Sequence, residues 1–412
     1  MTKEKFFSLV IFWFFVLVYL PLIGNNLPRP FNSVQLATYV WYLSLFLMYE
    51  SLFRNKFFLQ YIILVATFHI LTTIFIRHIP PGVIARNTKE FTYMFIGITL
   101  LDYFYLNEKS KYYFSKITYW AIVATIITSF VTIALTIYNP TIVRSSYSSG
   151  EDLEVFNRYG AGGYGFAALL IMIIPAIFYL IRIEFIHKIK GNIVIGLFLI
   201  TLLQMQIFAN ILIGFVVTFF SIIGRKKAKK SYMLMFLIIM IFIFIPQDVY
   251  VDSLNSIADN IDPNSLIHRK IVDLAKFISI GEVTEDTATG MKSSRYIMLW
   301  DVFSDNPILG GFSVKQRHTW SAGYHLQWMY KLASFGILGL LIHIIIHTSY
   351  LKNSLRQFDE NYRYYFLLSW LALIGLGFMK NLAGREMWVG YFVLLHGVYY
   401  LPLYKRKGRI NV

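Results

Sequence analysis

Apolar runs long enough to cross a lipid bilayer recur along this chain of 412 residues, and they constrain its fold more than any other feature. A transmembrane helix needs about 20 apolar residues to span the roughly 30 Å hydrocarbon core. Because backbone polar groups must be paired internally there, such runs predict α-helices. Charged residues make up only 15% of the chain, whereas soluble domains carry about a quarter. We therefore expect an all-α polytopic membrane protein.

Ten of these runs each predict one spanning helix. They cover residues 6–24, 34–53, 57–76, 91–106, 117–138, 164–181, 231–246, 323–350, 364–379 and 387–403. A further run, residues 192–223, is too long for one ordinary span and carries polar Gln204, Gln206 and Asn210 near its middle. We predict that it turns there and forms two short helices, which gives about twelve transmembrane helices.

The placement of lysine and arginine predicts the orientation, because cytoplasmic loops are enriched in these residues. With both termini in the cytoplasm, the inside segments hold 22 basic residues and the short outside loops hold 8. The alternation is consistent at every turn only if residues 192–223 cross twice. The net charge of +16 is then explained by anchoring to the anionic lipid bilayer, and nucleic acid is excluded as a partner.

The predicted spans leave one large external loop. About nine helices occupy residues 1–246, the loop covers 247–322, and about three helices occupy 323–412. The loop has too few apolar residues for a core of its own, so we expect it to pack over the helices as a lid. The first apolar run lacks a small-residue cleavage site and is expected to remain as a helix.

A histidine is the first candidate for chemistry. His325 is predicted at the outer end of helix 323–350, where water can reach it and where it could act as a general base. The alternative is an interfacial histidine that belongs to an aromatic belt with Tyr324 and Trp328. The remaining helix histidines are interpreted as packing residues, namely His69, His343, His347 and His396.

Arginines on the predicted outer side are the second candidates, because a guanidinium is always charged and binds phosphate through two parallel hydrogen bonds. They are Arg77, Arg86, Arg158, Arg295 and Arg385. Arg158 precedes the glycine-rich start of a helix, and helix N-termini favour anions. The alternative is that each arginine pairs with a nearby carboxylate, as Arg385 with Glu386 or Arg158 with Glu154.

Other kinds of site are excluded by what the sequence lacks. The chain has no cysteine, so it has no disulfide, thiol nucleophile or cysteine-ligated metal. Nucleotide-binding, hydrolase and zinc-protease motifs are absent, as is an informative acidic pair for a catalytic metal. We expect neither a metal nor another cofactor. Charges within the predicted spans are scarce, which argues against an ion-coupled transporter.

Three short segments carry a resemblance to a known family. They are Ser294-Arg295 with Trp300-Asp-Val-Phe-Ser-Asp-Asn-Pro-Ile-Leu-Gly-Gly-Phe, then Gly323-Tyr-His325-Leu-Gln-Trp328, then Phe335-Gly-Ile-Leu-Gly339. In these segments the chain resembles the O-antigen polymerase and ligase superfamily. The resemblance implies a GT-C-like fold in the bacterial plasma membrane, with the active site facing the periplasm or cell exterior. It also implies metal-independent transfer of undecaprenyl-pyrophosphate-linked oligosaccharides.

The resemblance assigns a role to each candidate residue. His325 would deprotonate the acceptor hydroxyl, while Arg295 and Arg158 would hold the donor pyrophosphate and stabilise it as a leaving group. The remaining candidates would complete the substrate-binding set, namely Arg77, Arg86, Arg385, Tyr324 and Trp328. A chain-length regulator and a flippase are the protein partners that the resemblance implies.

The family contains more than one activity. Its ligases usually carry an arginine in a turn that here reads Gln206-Ile-Phe-Ala-Asn210, without arginine. This departure favours a repeat-unit (Wzy-type) polymerase that makes O-antigen or capsular polysaccharide. The alternatives are a ligase that moves a finished glycan to lipid A-core or to a protein, and a transporter of lipid-linked sugar that performs no catalysis.

Overall fold

In a computed structural model of the chain, the structure describes residues 3–48, 56–75, 89–105, 108–145, 151–224, 247–263, 288–310, 326–382 and 384–408, with a few residues between 268 and 279. All regular secondary structure within these ranges is helical. Among the described residues, four helical segments are long and apolar enough to cross a membrane, judged by length and composition: Lys111–Tyr138, Glu151–Arg182, Gln327–Gln357 and Glu360–Met379. The expectation of an all-α membrane protein is confirmed at this level, and about twelve spans stays a prediction.

The helices of the first half are numbered in chain order. They are α1 (Lys3–Tyr19), α2 (Pro21–Asn26), α3 (Val34–Met48), α4 (Lys56–Phe75), α5 (Lys89–Tyr105), α6 (Glu108–Tyr138), α7 (Ile142–Ser145), α8 (Glu151–Tyr159), α9 (Tyr164–Arg182), α10 (Lys188–Gln204) and α11 (Phe208–Ile223). The predicted helix 6–24 is in fact two helices. Pro21 occupies the first turn of α2, and because its ring blocks a continuous helix, α1 ends before it.

The second half continues the series. It contains α12 (Gln247–Asp259), α13 (Ala288–Asp305), α14 (Gln327–Gln357), α15 (Glu360–Met379), α16 (Arg385–Val389), a π-helical turn (Gly390–Leu394) and α17 (Leu395–Gly408). The predicted span 231–246 and much of the loop 247–322 lie outside the described residues. Helix α13 ends at Asp305, directly before Asn306-Pro307, because proline disfavours helical geometry in the residue preceding it.

The long apolar run 192–223 does form two helices. Helix α10 ends at Gln204 and α11 begins at Phe208. Between them Gln206 has a left-handed backbone with φ of 53°, which an α-helix cannot contain. The prediction of a turn at these polar residues is confirmed.

Helix α9 forms the centre of the bundle. Fourteen of its 19 residues are buried, and it packs against α10, α11, α15 and α16. A helix that is apolar on all sides belongs in a protein core or in a membrane, and α9 is largely covered by its neighbouring helices. Its N-terminal end therefore has a defined position, which matters because residues of α16 lie beside it.

Helix α14 is where the structure departs most from the prediction of one continuous helix over 323–350. Gly336 has φ of 64° and ψ of −171°, so the helical path is broken there. The rings of Trp328 and His347 lie 6.2 Å apart, whereas 19 residues of straight helix would separate them by about 28 Å. The rings of Phe335 and His343 are stacked at 5.9 Å. Residues 327–335 therefore fold back along the helix that follows Gly336.

The turn after α13, residues 306–310, packs against this reversal and is hydrogen-bonded to it. The backbone N–H groups of Ile337 and Leu338 donate to the carbonyl oxygens of Pro307 (2.9 Å) and Ile308 (3.1 Å). These N–H groups begin a new helix and have no acceptor within it, so the turn satisfies them. Gly310 also has a positive φ of 66°, and a Cβ there would lie 2.4 Å from the backbone nitrogen of Gly336. Two separated motif segments thus form one packed unit.

Candidate functional site

A cavity of about 1090 Å³ lies between α3, α4, α5 and the start of α16. We call it the tyrosine cavity after four of its lining residues, Tyr39, Tyr42, Tyr61 and Tyr93. Its volume is at the upper end of the 300–1,000 Å³ typical of ligand pockets. The walls lie near loops that the charge pattern assigns to the outer side of the membrane, namely those before α3, between α4 and α5, and before α16.

Two of the tyrosines are held in place by their hydroxyl groups. Tyr42 donates to the carbonyl oxygen of Thr92 at 3.1 Å, and Tyr61 donates to that of Phe91. The ring of Tyr42 also packs edge-on against Phe95 at 5.0 Å. Since their hydroxyl groups are bound to helix α5, these side chains offer a ligand mainly their ring surfaces, in fixed positions.

Arg385 and Glu386 supply the full charges among the described lining residues of the cavity. Arg385 Nε lies 3.5 Å from Glu386 Oε1, and Arg385 also donates to the Leu17 carbonyl oxygen at 3.5 Å. Arg385 is therefore paired with its neighbouring carboxylate, which is the alternative given for it in the sequence analysis. The pair nevertheless lines the cavity and remains partly exposed.

Glu386 also explains one glycine, Gly165, at the start of α9. A Cβ at Gly165 would lie 2.4 Å from Glu386 Oε2 and 2.6 Å from the Cα of Gly384. The carboxylate thus lies beside the first turn of α9, where the helix dipole favours negative charge. The sequence predicts an anion at this helix start, and in the structure a carboxylate of the chain lies there.

The loop before α16 is fixed by hydrogen bonds from two other elements. Gln327 donates its backbone N–H to the Lys380 carbonyl oxygen at 3.1 Å, and its side-chain oxygen accepts from Leu382 N–H at 3.2 Å. The buried Trp388 donates its indole N–H to the Leu382 carbonyl oxygen at 2.6 Å. These contacts set the position from which Arg385 enters the cavity.

A buried basic cluster lies behind the cavity wall and was missed by the sequence analysis. Lys331 has 0% exposure, and its Nζ lies 5.9 Å from the ring centre of Phe91, a cavity residue. The ring of His343 lies 4.7 Å from the same ring, and His347 is buried next to Trp388. The burial of these histidines fits their interpretation as packing residues. The sequence did contain a signal for this cluster, because Lys331 lies within a predicted transmembrane helix, where charged residues are rare.

The two arginines expected to hold pyrophosphate lie on other elements. Arg295 is half-buried on α13, and burial lowers its pKa from the ordinary value. The neighbouring Tyr296 donates its hydroxyl to the Phe378 carbonyl oxygen, which holds α13 against α15. Arg158 is exposed at the end of α8 and its carbonyl oxygen accepts from the Asn26 side chain at 3.0 Å. Neither arginine lines the tyrosine cavity.

Trp328 is integrated into the helix packing. Its indole N–H donates to the Ile374 carbonyl oxygen at 2.8 Å, and its ring is packed so closely on α15 that a Cβ at Gly377 would lie 2.2 Å from Nε1. The remaining predicted site residues lie outside the described part of the chain, namely His325, Tyr324, Arg77 and Arg86.

The structure therefore places one of the predicted arginines, Arg385, in a ligand-sized cavity. It adds lining residues that no local pattern indicated, among them Tyr42, Tyr61 and Glu386. The predicted set does not meet in this cavity, since Arg158, Arg295 and Trp328 lie elsewhere in the bundle. Neither protein-family models nor curated proteins gave any match to this chain when they were searched.

Proposed function

We propose that this chain is a metal-independent glycosyltransferase of the polymerase type. It transfers a growing undecaprenyl-pyrophosphate-linked glycan onto the next lipid-linked repeat unit at the outer face of the bacterial plasma membrane. The observation that carries this proposal is the tyrosine cavity, which combines ligand-sized volume with fixed aromatic surfaces, amide groups and a partly exposed arginine–glutamate pair. Aromatic surfaces suit the C–H faces of sugar rings, and the polar groups suit their hydroxyls.

The packed motif unit also supports the proposal. The Asn306–Gly310 turn and the Phe335–Gly339 segment carry much of the resemblance to the O-antigen polymerase and ligase superfamily. In the structure two backbone hydrogen bonds join these segments, and one glycine of each segment, Gly310 and Gly336, has a positive φ. Their joint presence in the sequence therefore has a structural reason, and α13, which carries Arg295, leads directly into this unit.

The proposed reaction balances as a displacement at the anomeric carbon. His325 takes the proton from the acceptor hydroxyl, whose oxygen then bonds to the anomeric carbon of the donor glycan. The bond between that carbon and the pyrophosphate oxygen breaks, and undecaprenyl pyrophosphate leaves. Arg295 and Arg158 stabilise the negative charge on this leaving group, which is the largest electrostatic demand of the step.

The experiment uses the purified protein and lipid-linked repeat unit as sole substrate, isolated from cells that lack this chain. A polymerase gives a ladder of products that differ by whole repeats, and His325→Ala, present at normal levels in the membrane, gives none. Transfer of one glycan only after addition of lipid A-core or a protein acceptor would identify a ligase instead. Movement of the lipid-linked sugar across vesicles without new glycosidic bonds would identify a transporter.

A further inference from the structure

The charges in the tyrosine cavity are arranged to bind an uncharged ligand. Arg385 and Glu386 are the fully charged groups among its described lining residues, and they lie 3.5 Å apart. An anionic group that approaches Arg385 also approaches the carboxylate of Glu386, so attraction and repulsion largely cancel. A hydroxyl group has no such conflict, because it can donate to Glu386 and accept from Arg385.

The other lining groups fit the same kind of ligand. Asn32 and Gln35 contribute amides, each able to donate and to accept hydrogen bonds. Tyr42 is half-buried, and its hydroxyl is bound to the Thr92 carbonyl oxygen, so its ring cannot swing away from the cavity without losing that bond. A rigid aromatic surface beside groups that both donate and accept hydrogen bonds suits a sugar ring with a C–H face and several hydroxyls.

From this arrangement we infer that the tyrosine cavity is a binding site for an uncharged sugar ring of the glycan, recognised by the Arg385–Glu386 pair and the Tyr42 ring. This inference rests on the proposed function and deepens it. It assigns Arg385 to the sugar and leaves the pyrophosphate to arginines outside the cavity. A uronic acid at this position is rejected because its carboxylate would lie next to Glu386.

The test measures binding of free trisaccharides to the full-length protein in nanodiscs by saturation-transfer NMR. The probes are maltotriose and chitotriose, which are uncharged, and trigalacturonate, which is anionic. We expect at least one uncharged probe to bind and trigalacturonate to bind at least about tenfold more weakly. Glu386→Gln removes the repelling charge and should restore trigalacturonate binding. Glu154→Gln, on an exposed residue of α8, is the matched control.

The role of the Tyr42 ring is tested separately. Tyr42→Ala should weaken binding of the uncharged probe about tenfold, whereas Tyr42→Phe keeps the ring, loses only the hydroxyl bond that fixes it, and should weaken binding less than Tyr42→Ala does. Tyr138→Ala is the control, since Tyr138 is 84% exposed. Equal binding of trigalacturonate, no binding of either uncharged probe, or an unaffected Tyr42→Ala variant would each overturn the inference.

Polymer formation is followed in parallel so that the two proposals fail independently. A product ladder without trisaccharide binding would overturn the sugar site and leave the polymerase standing. Trisaccharide binding without a ladder would overturn the polymerase and leave the sugar site standing.

Discussion

Replacing Gly336 by alanine tests whether the reversal in α14 and the turn after α13 form one unit. Alanine at a φ of 64° and a ψ of −171°, a backbone region that is essentially restricted to glycine, costs about 1–3 kcal/mol. The new Cβ would also lie 2.4 Å from the nitrogen of Gly310 and from the carbonyl oxygen of Ile308. Side-chain carbons keep at least 3.0 Å from such atoms, so the turn must move away by 0.6 Å or more.

That movement breaks the hydrogen bonds that join the two segments. The Ile337–Pro307 and Leu338–Ile308 bonds would lengthen from 2.9 and 3.1 Å to roughly 3.5 Å or beyond, past the usual limit of about 3.2 Å. Each contributes about 1 kcal/mol. Together with the backbone cost, the variant should destabilise the packed unit by about 3–5 kcal/mol.

Hydrogen exchange measured by mass spectrometry on peptides that contain Ile337 and Leu338 is the direct assay. A loss of about 3–5 kcal/mol corresponds to exchange about 10²–10⁴ times faster. Gly196→Ala is the matched control, because nothing lies within 4 Å of a Cβ built there. Gly310→Ala added to Gly336→Ala should cost less than the sum of the two single variants, since the two glycines share the contact already lost and only the backbone cost at the φ of 66° of Gly310 is added. Unchanged protection in Gly336→Ala would refute the reasoning.

Two further predictions concern single side chains. Arg295→Lys should lose the product ladder at normal protein levels, because a point charge does not reproduce a bidentate fork; wild-type activity would contradict this. Trp388→Phe removes the donor to the Leu382 carbonyl oxygen and should lower the unfolding free energy by about 1–3 kcal/mol, with the half-exposed Trp120→Phe as the control.

Local sequence rules were sufficient to predict two of the helix boundaries. The end of α13 before Asn306-Pro307 follows from the restriction that proline places on its predecessor. The turn at Gln206 follows from polar residues within an apolar run that is too long for one span. In both cases the determining residues lie within a few positions of the feature, so no knowledge of the tertiary contacts is needed.

The reversal at Gly336 could not be predicted in this way. The segment Phe335–Gly339 is a continuous apolar run, and one glycine in a helix normally costs only about 1 kcal/mol. What permits the break is a pair of carbonyl oxygens supplied by Pro307 and Ile308, about 30 residues earlier in the chain. The tyrosine cavity was hidden for the same reason, because its walls come from four segments far apart in the sequence.

The reversal has a consequence for the cavity, although neither glycine of the packed unit lines it. Folding back at Gly336 returns the start of α14 to the loop before α16, where Gln327 is hydrogen-bonded to Lys380 and Leu382. Arg385 and Glu386, which follow this loop, line the cavity. A continuous helix would place Gln327 about 14 Å from Gly336 in the opposite direction, too far to hold the loop. The motif unit is therefore linked through the backbone to the loop that positions the arginine–glutamate pair, so a change at Gly336 should also displace this pair.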